Sequence, residues 1–137
     1  MNTNSFDPDL WGPSGWKFLH YITLSYPDKP TQNDKNNILT FFNSVGNVLP
    51  CEKCRNNYYN HLKKYPLDNN TVSSRYNLVN WLINVHNEVN IMNNKKTINF
   101  DQFINIYFSK TNKFSWDTLI IYIFIISIIV YFLLKFL

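Results

Sequence analysis

Glycine is almost absent from this sequence: Gly12, Gly15 and Gly46 are the only three in 137 residues. Tight hairpins and phosphate-cradling loops draw on glycine for backbone conformations that other residues avoid. An all-β fold or a dinucleotide-binding α/β fold therefore fits poorly, whereas helices need no glycine. The apolar positions agree. Ile38, Phe41, Phe42 and Val45 repeat at i, i+3, i+4 and i+7, the single buried stripe of an amphipathic helix. Hydrophobic residues at 45% and aromatics at 18% can fill a helical core.

Proline then divides the chain. A first helix is expected from about Pro13, a residue suited to an opening position, to Tyr26, ended by Pro27 and Pro30. A second spans about Thr31 to Val48. A third starts beside Pro50 and Cys51 and runs to Lys64, before Pro66; a fourth spans Ser73 to Met92, and a short fifth Asp101 to Lys110. No internal repeat is present, and Asn93-Asn94-Lys95-Lys96 is the most polar connector. The fold class is all-α, a small bundle occupying residues 1–110.

The stretch from Leu119 to Leu134 is apolar except for Ser127 and two tyrosines. A domain this small cannot bury a helix with no polar face, so a transmembrane helix is expected over 118–137, joined by a linker at 111–117. Its sixteen apolar residues rise roughly 24 Å against a hydrocarbon core of ~30 Å, so a thin membrane suits it. Lys110 and Lys113 before the span, against Lys135 after it, favour a cytosolic domain. The position of the span implies insertion after translation, and no cleaved secretory signal is visible at the N-terminus.

The net charge of +4 comes from scattered lysines rather than a basic run, which argues against nucleic acid as a partner. Two cysteines three positions apart cannot brace a secreted scaffold. Their value is local chemistry. In Cys51-Glu52-Lys53-Cys54 both thiols sit where the third helix begins, and the positive end of a helix lowers thiol pKa and so raises the reactive fraction. Spacing of three puts both on one face, ready to cycle between dithiol and disulfide. A structural pair or a metal site is the alternative, although His20, His61 and His86 lack the mutual spacing of zinc ligands and no metal is expected.

Two further groups stand out. Trp16 and His20 share a face of the first helix, preceded by Gly12 and Gly15, which permit close approach by a ligand or a backbone. His86 and Asn90 share a face of the fourth, within His86-Asn87-Glu88-Val89-Asn90. Either group can be packing or solvated surface. Either can also face a flat, acceptor-rich ligand.

Trp11-Gly12-Pro13-x-x-Trp16-x-x-Leu19-His20, Tyr26-Pro27, Pro50-Cys51-x-x-Cys54 and His86-Asn87-x-Val89-Asn90 together resemble, in order and spacing, the flavin-linked sulfhydryl oxidase family that includes the augmenter of liver regeneration. The resemblance covers about Leu10 to Tyr107. It implies a four-helix bundle with a short fifth helix that binds FAD beside the cysteine pair. It implies that Cys54 lies against the isoalloxazine ring and that Cys51 is the outward sulfur exchanging with substrate. Electrons from a protein dithiol, or from a thioredoxin-like redox partner, would pass through the pair to FAD and on to O2, giving hydrogen peroxide. Gly12, Gly15, Trp16, His20, His86, Asn87, Val89 and Asn90 would line the cofactor, with Lys95 at a phosphate-contacting position and Tyr107 at the aromatic end of the pocket. A homodimer through the first two helices is implied as well.

The sequence departs from longer family members in lacking a second Cys-x-x-Cys, so substrate must reach Cys51 directly. Short, membrane-anchored oxidases of large DNA viruses are similar, and they place such chemistry in host cytoplasm or virion. The competing functions are a membrane-anchored binding module with a structural or metal-holding cysteine pair, and a cofactor-free disulfide reductase or isomerase.

Overall fold

The computed structural model describes residues 6–108 and 116–135, with the side chains of 116–118 left aside. The described elements are helical: α1 (Pro8–Ser25), α2 (Gln32–Val48), α3 (Glu52–Lys64), a 3-10 turn (Thr71–Ser73), α4 (Arg75–Met92), α5 (Phe100–Phe108) and α6 (Trp116–Lys135). The chain divides between Phe100 and Asp101 into two compact units, so α5 straddles the division.

Helix α1 begins five residues before the expected start. Asp7 caps it, its carboxylate accepting the Asp9 N–H at 2.9 Å, and Pro8 rather than Pro13 takes an opening position. Pro13 lies inside the helix, where its missing N–H leaves the Asp9 carbonyl without the usual i→i−4 partner. Thr31 opens α2 in a reciprocal cap with Asp34. Ser74 caps α4 through the Asn77 N–H at 3.2 Å, one residue after a 3-10 turn that apolar periodicity does not reveal.

In the first unit α1 packs along α4, α2 along α3, and α3 meets α4. Phe42 and Val45 from the predicted α2 stripe join Tyr26, Tyr58, Val72, Leu78, Trp81, Leu82 and Val85 in the core. The buried aromatic polar groups are satisfied by backbone: Tyr26 Oη donates to Val72 O at 2.9 Å, Tyr58 Oη to Phe42 O at 2.7 Å, and Trp81 Nε1 to Tyr65 O at 2.9 Å. Gly46 on α2 lies against side chains of α3. A Cβ there would lie 2.8 Å from Tyr59 Cζ and 2.9 Å from Tyr58 Cδ1.

In the second unit, α6 carries exposed apolar side chains from Ile120 to Leu134. Among the described residues no helix is long and apolar enough to cross a membrane. The transmembrane helix expected over 118–137 is thus not supported. Trp116 and Asp117, expected in a linker, already belong to α6, while Lys110, Lys113 and the rest of the linker lie outside the described residues.

Candidate active site

Cys51 and Cys54 form a disulfide. Cys51 is the N-cap of α3, and its Sγ accepts the backbone N–H of Cys54 at 3.2 Å, the role a serine or aspartate oxygen usually fills. This turns Cys51 in beneath the helix end. It is only 6% exposed, whereas Cys54 is half-buried, so burial does not bear out an outward Cys51. A bridged pair also has no thiolates to offer a metal, and among the described residues no cluster of three His, Cys, Asp or Glu could hold one.

Trp16, His20 and His86 are brought together across the α1–α4 contact. Trp16 and His86 stack with ring centres 4.0 Å apart and planes within 6°. His20, fully buried, places Nε2 3.0 Å from His86 Nδ1, so one ring donates and the other accepts. Burial, and then the neighbouring His86, lowers the His20 pKa to about 3; burial, and then the Lys95 cation, lowers that of His86 to about 4. Both rings are neutral at pH 7. The pair is an uncharged aromatic surface with a cation nearby.

Lys95 reaches this neighbourhood because α4 ends in a Schellman turn. Asn94 adopts φ 53°, which asparagine tolerates, and this folds the chain back so that Lys95 N–H bonds Asn90 O at 2.7 Å and Asn94 N–H bonds Ile91 O at 3.1 Å. Asn87 behaves differently from the cofactor-lining residue expected. Its amide donates to Ile98 O at 2.8 Å and accepts from Ile98 N at 3.0 Å, which pins the connector to α4. Asn90 Nδ2 donates weakly to Asn87 Oδ1 at 3.4 Å, and the Val89 carbonyl accepts from Asn93 N–H at 3.1 Å, so both serve the same helix end. At Gly12 an added Cβ would meet nothing within 4 Å, and at Gly15 it would make ordinary contact with the Trp11 ring at 3.4 Å. Neither glycine is required by a close approach within the chain. Tyr107 belongs to the second unit, where its ring lies 4.6 Å from Phe103.

Sequence reasoning passed over two residues here. Arg55 sends Nη1 to Leu49 O at 2.5 Å, and only its place after Cys54 hinted at it. His61, one face of α3 with Tyr58, is buried with Nε2 unbonded, and burial lowers its pKa despite Glu88.

Residues 13–109 match the family model described as the Erv1 / Alr family. The chain is 50% identical over 97 residues, 71% of its length and 68% of the relative's, to a probable FAD-linked sulfhydryl oxidase of Acanthamoeba polyphaga mimivirus. It is 34% identical over 98 residues, 71% of its length and 79% of the relative's, to the FAD-linked sulfhydryl oxidase of African swine fever virus. In three dimensions it is similar to the crystal structure of the FAD-binding domain of Erv1 from Saccharomyces cerevisiae, with TM-score 0.66, 27% identity, and coverage of 73% of this chain and 92% of that one.

Proposed function

The chain belongs to the Erv1/Alr family, and on that premise we propose that it is an FAD-linked thiol oxidase that converts protein dithiols into disulfides through Cys51 and Cys54. The observation that carries this reading is a disulfide set at the positive end of α3, with Cys54 N–H already directed at Cys51 Sγ.

The residues suit the cofactor. The stacked Trp16 and His86 offer a flat neutral surface for a purine or flavin ring, His20 adds a buried ring nitrogen, and Lys95 supplies positive charge of the kind a diphosphate needs. Trp16, His20, His86 and Lys95 would hold FAD, with Gly12, Gly15, Val89 and Asn90 beside them. Asn87 acts through the connector it fixes. When bound, FAD accepts the electron pair of the reduced cysteines and passes it to O2.

The protein's own part is thiol–disulfide exchange. A substrate thiolate attacks Cys51, the Cys51–Cys54 bond breaks, and Cys54 leaves as a thiolate within the first turn of α3, where N–H groups stabilise it. The second substrate thiolate then attacks the substrate sulfur of the mixed disulfide. The substrate disulfide forms, and Cys51 leaves as a thiolate with the electron pair while its N–H bond from Cys54 helps hold the charge. Attack at Cys51 requires the segment over it to yield, because that sulfur is nearly buried.

We further infer that α6 attaches the oxidase to a membrane, supported by an exposed surface from Ile120 to Leu134 that is apolar except for Ser127 and two tyrosines, followed by Lys135. A cytosolic or virion-facing domain and a homodimer complete this reading.

The test is the visible spectrum of the purified full chain, recorded before and after dithiothreitol in air with peroxide followed alongside. A flavin band that bleaches and recovers as oxygen is consumed, with turnover abolished in Cys54→Ser, is expected. A colourless folded protein that cannot take up added FAD would refute the assignment.

A further inference from the structure

Two helix ends of opposite sign meet at Cys51. Helix α3 presents N–H groups to it, and α2, whose C-cap is Leu49, presents carbonyls only two residues away. Left bare, the negative end of α2 would raise the cost of a thiolate at Cys51 and cancel much of what α3 contributes. The structure does not leave it bare. Arg55 Nη1 donates to Leu49 O at 2.5 Å, Phe6 N–H to Pro50 O at 2.8 Å, and Arg55 N–H to Cys51 O at 3.0 Å. Of these carbonyls that of Leu49 belongs to the end of α2, and its bond from Arg55 carries a half-buried positive charge; the Arg55 N–H bond to Cys51 O is the first i→i−4 bond of α3 itself.

We propose that Arg55 is a positioning residue for the exchange reaction: its guanidinium clamps the end of α2 and offsets its negative end, keeping Cys51 a low-pKa thiol and a good leaving group. This rests on the oxidase reading for its purpose and not for its physics. In the step concerned, the second substrate thiol loses its proton to solvent and its thiolate forms a bond to the first substrate sulfur, while the bond between that sulfur and Cys51 breaks and Cys51 keeps the electron pair. A leaving thiol of lower pKa departs faster. The other charges on the elements that meet here are Glu52 and Lys53, both exposed on α3, and Asp7, next to Phe6; the last residues of α2, Asn47-Val48-Leu49, carry none. Glu52 and Lys53 oppose each other, which leaves Arg55 as the cation bonded into the turn.

The experiment is the pH dependence of iodoacetamide alkylation at Cys51 in the reduced full chain under nitrogen, located by peptide mass spectrometry. For Arg55→Gln the midpoint is expected to rise by about half to one pH unit, with a roughly two- to fivefold slower release of a dithiothreitol mixed disulfide at pH 7. Arg55→Lys should restore most of the shift, and Lys53→Gln should move it little. An unchanged midpoint in a folded Arg55→Gln overturns the proposal even if turnover falls. If that variant does not fold, Arg55→Met is measured in its place and read by the same rule, and a wild-type midpoint at or above the ~8.5 of a free thiol also overturns the proposal. Alkylation needs no turnover, so failure of the oxidase reading would register separately, as absent oxygen consumption.

Discussion

Replacing Gly46 by alanine tests how closely α2 and α3 are packed. The new Cβ would stand 2.8 Å from Tyr59 Cζ and 2.9 Å from Tyr58 Cδ1, about 0.6 Å inside ordinary contact. Tyr59 can swing outward by giving up its hydrogen bond to Asn47 Oδ1, a loss of about 0.5–1.5 kcal/mol. Tyr58 cannot, because it is buried and its hydroxyl is bonded to Phe42 O. The helices must therefore separate slightly, and overpacking of this kind costs about 1–3 kcal/mol. Alanine returns about 1 kcal/mol of helix propensity. The net destabilisation is about 0.5–3.5 kcal/mol, a fall in Tm of roughly 2–28 °C for a domain of this size. Thermal melts followed by far-UV circular dichroism at a fixed, saturating flavin concentration would measure it. A second variant provides the control: Gly12→Ala, whose Cβ meets nothing within 4 Å, should leave the helix as stable as before or more so. If Gly46→Ala melts at or above the wild-type temperature, the close approach is not real.

Acid should weaken the fold through the paired histidines. Their folded pKa values, about 3 for His20 and about 4 for His86, lie below the ordinary 6.5, so the unfolded chain binds more protons. Stability is full above pH 6.5 and declines as pH falls toward 4, by about 2 kcal/mol per ring between pH 7.5 and 5. Urea unfolding of the flavin-stripped protein at both pH values checks this, and a flat dependence would refute the neutral pair. Asn87→Ala should raise hydrogen exchange at Ile98 by at least tenfold through loss of its two bonds, while α4 amides before Val85 stay protected. Trp16→Ala should release flavin, read by dialysis, with the Cys51–Cys54 pair still able to exchange with dithiothreitol.

Much of this protein is legible along the chain because the governing interactions are short in range. Apolar spacing marks α2, and proline and Ser/Thr caps place most helix ends within two residues. Position beside Pro50 puts the cysteines at the start of α3, and the family motifs collect Trp16, His20 and His86. The connector Asn93-Asn94-Lys95-Lys96 is legible as polar, while the left-handed turn at Asn94 that returns Lys95 comes from the structure. Other features depend on partners distant in sequence. Asn87 reads as a ligand contact until Ile98 takes both ends of its amide, whereas the Asp7–Pro8 cap that makes Pro13 an interior residue is local and open to a sequence reading. The inward turn of Cys51, the clamp of Arg55 on Leu49 and the need for glycine at position 46 arise where α2 meets α3. Periodicity determines which face of a helix is apolar; only the packing of one helix against another decides which backbone carbonyls, rings and charges that face encounters.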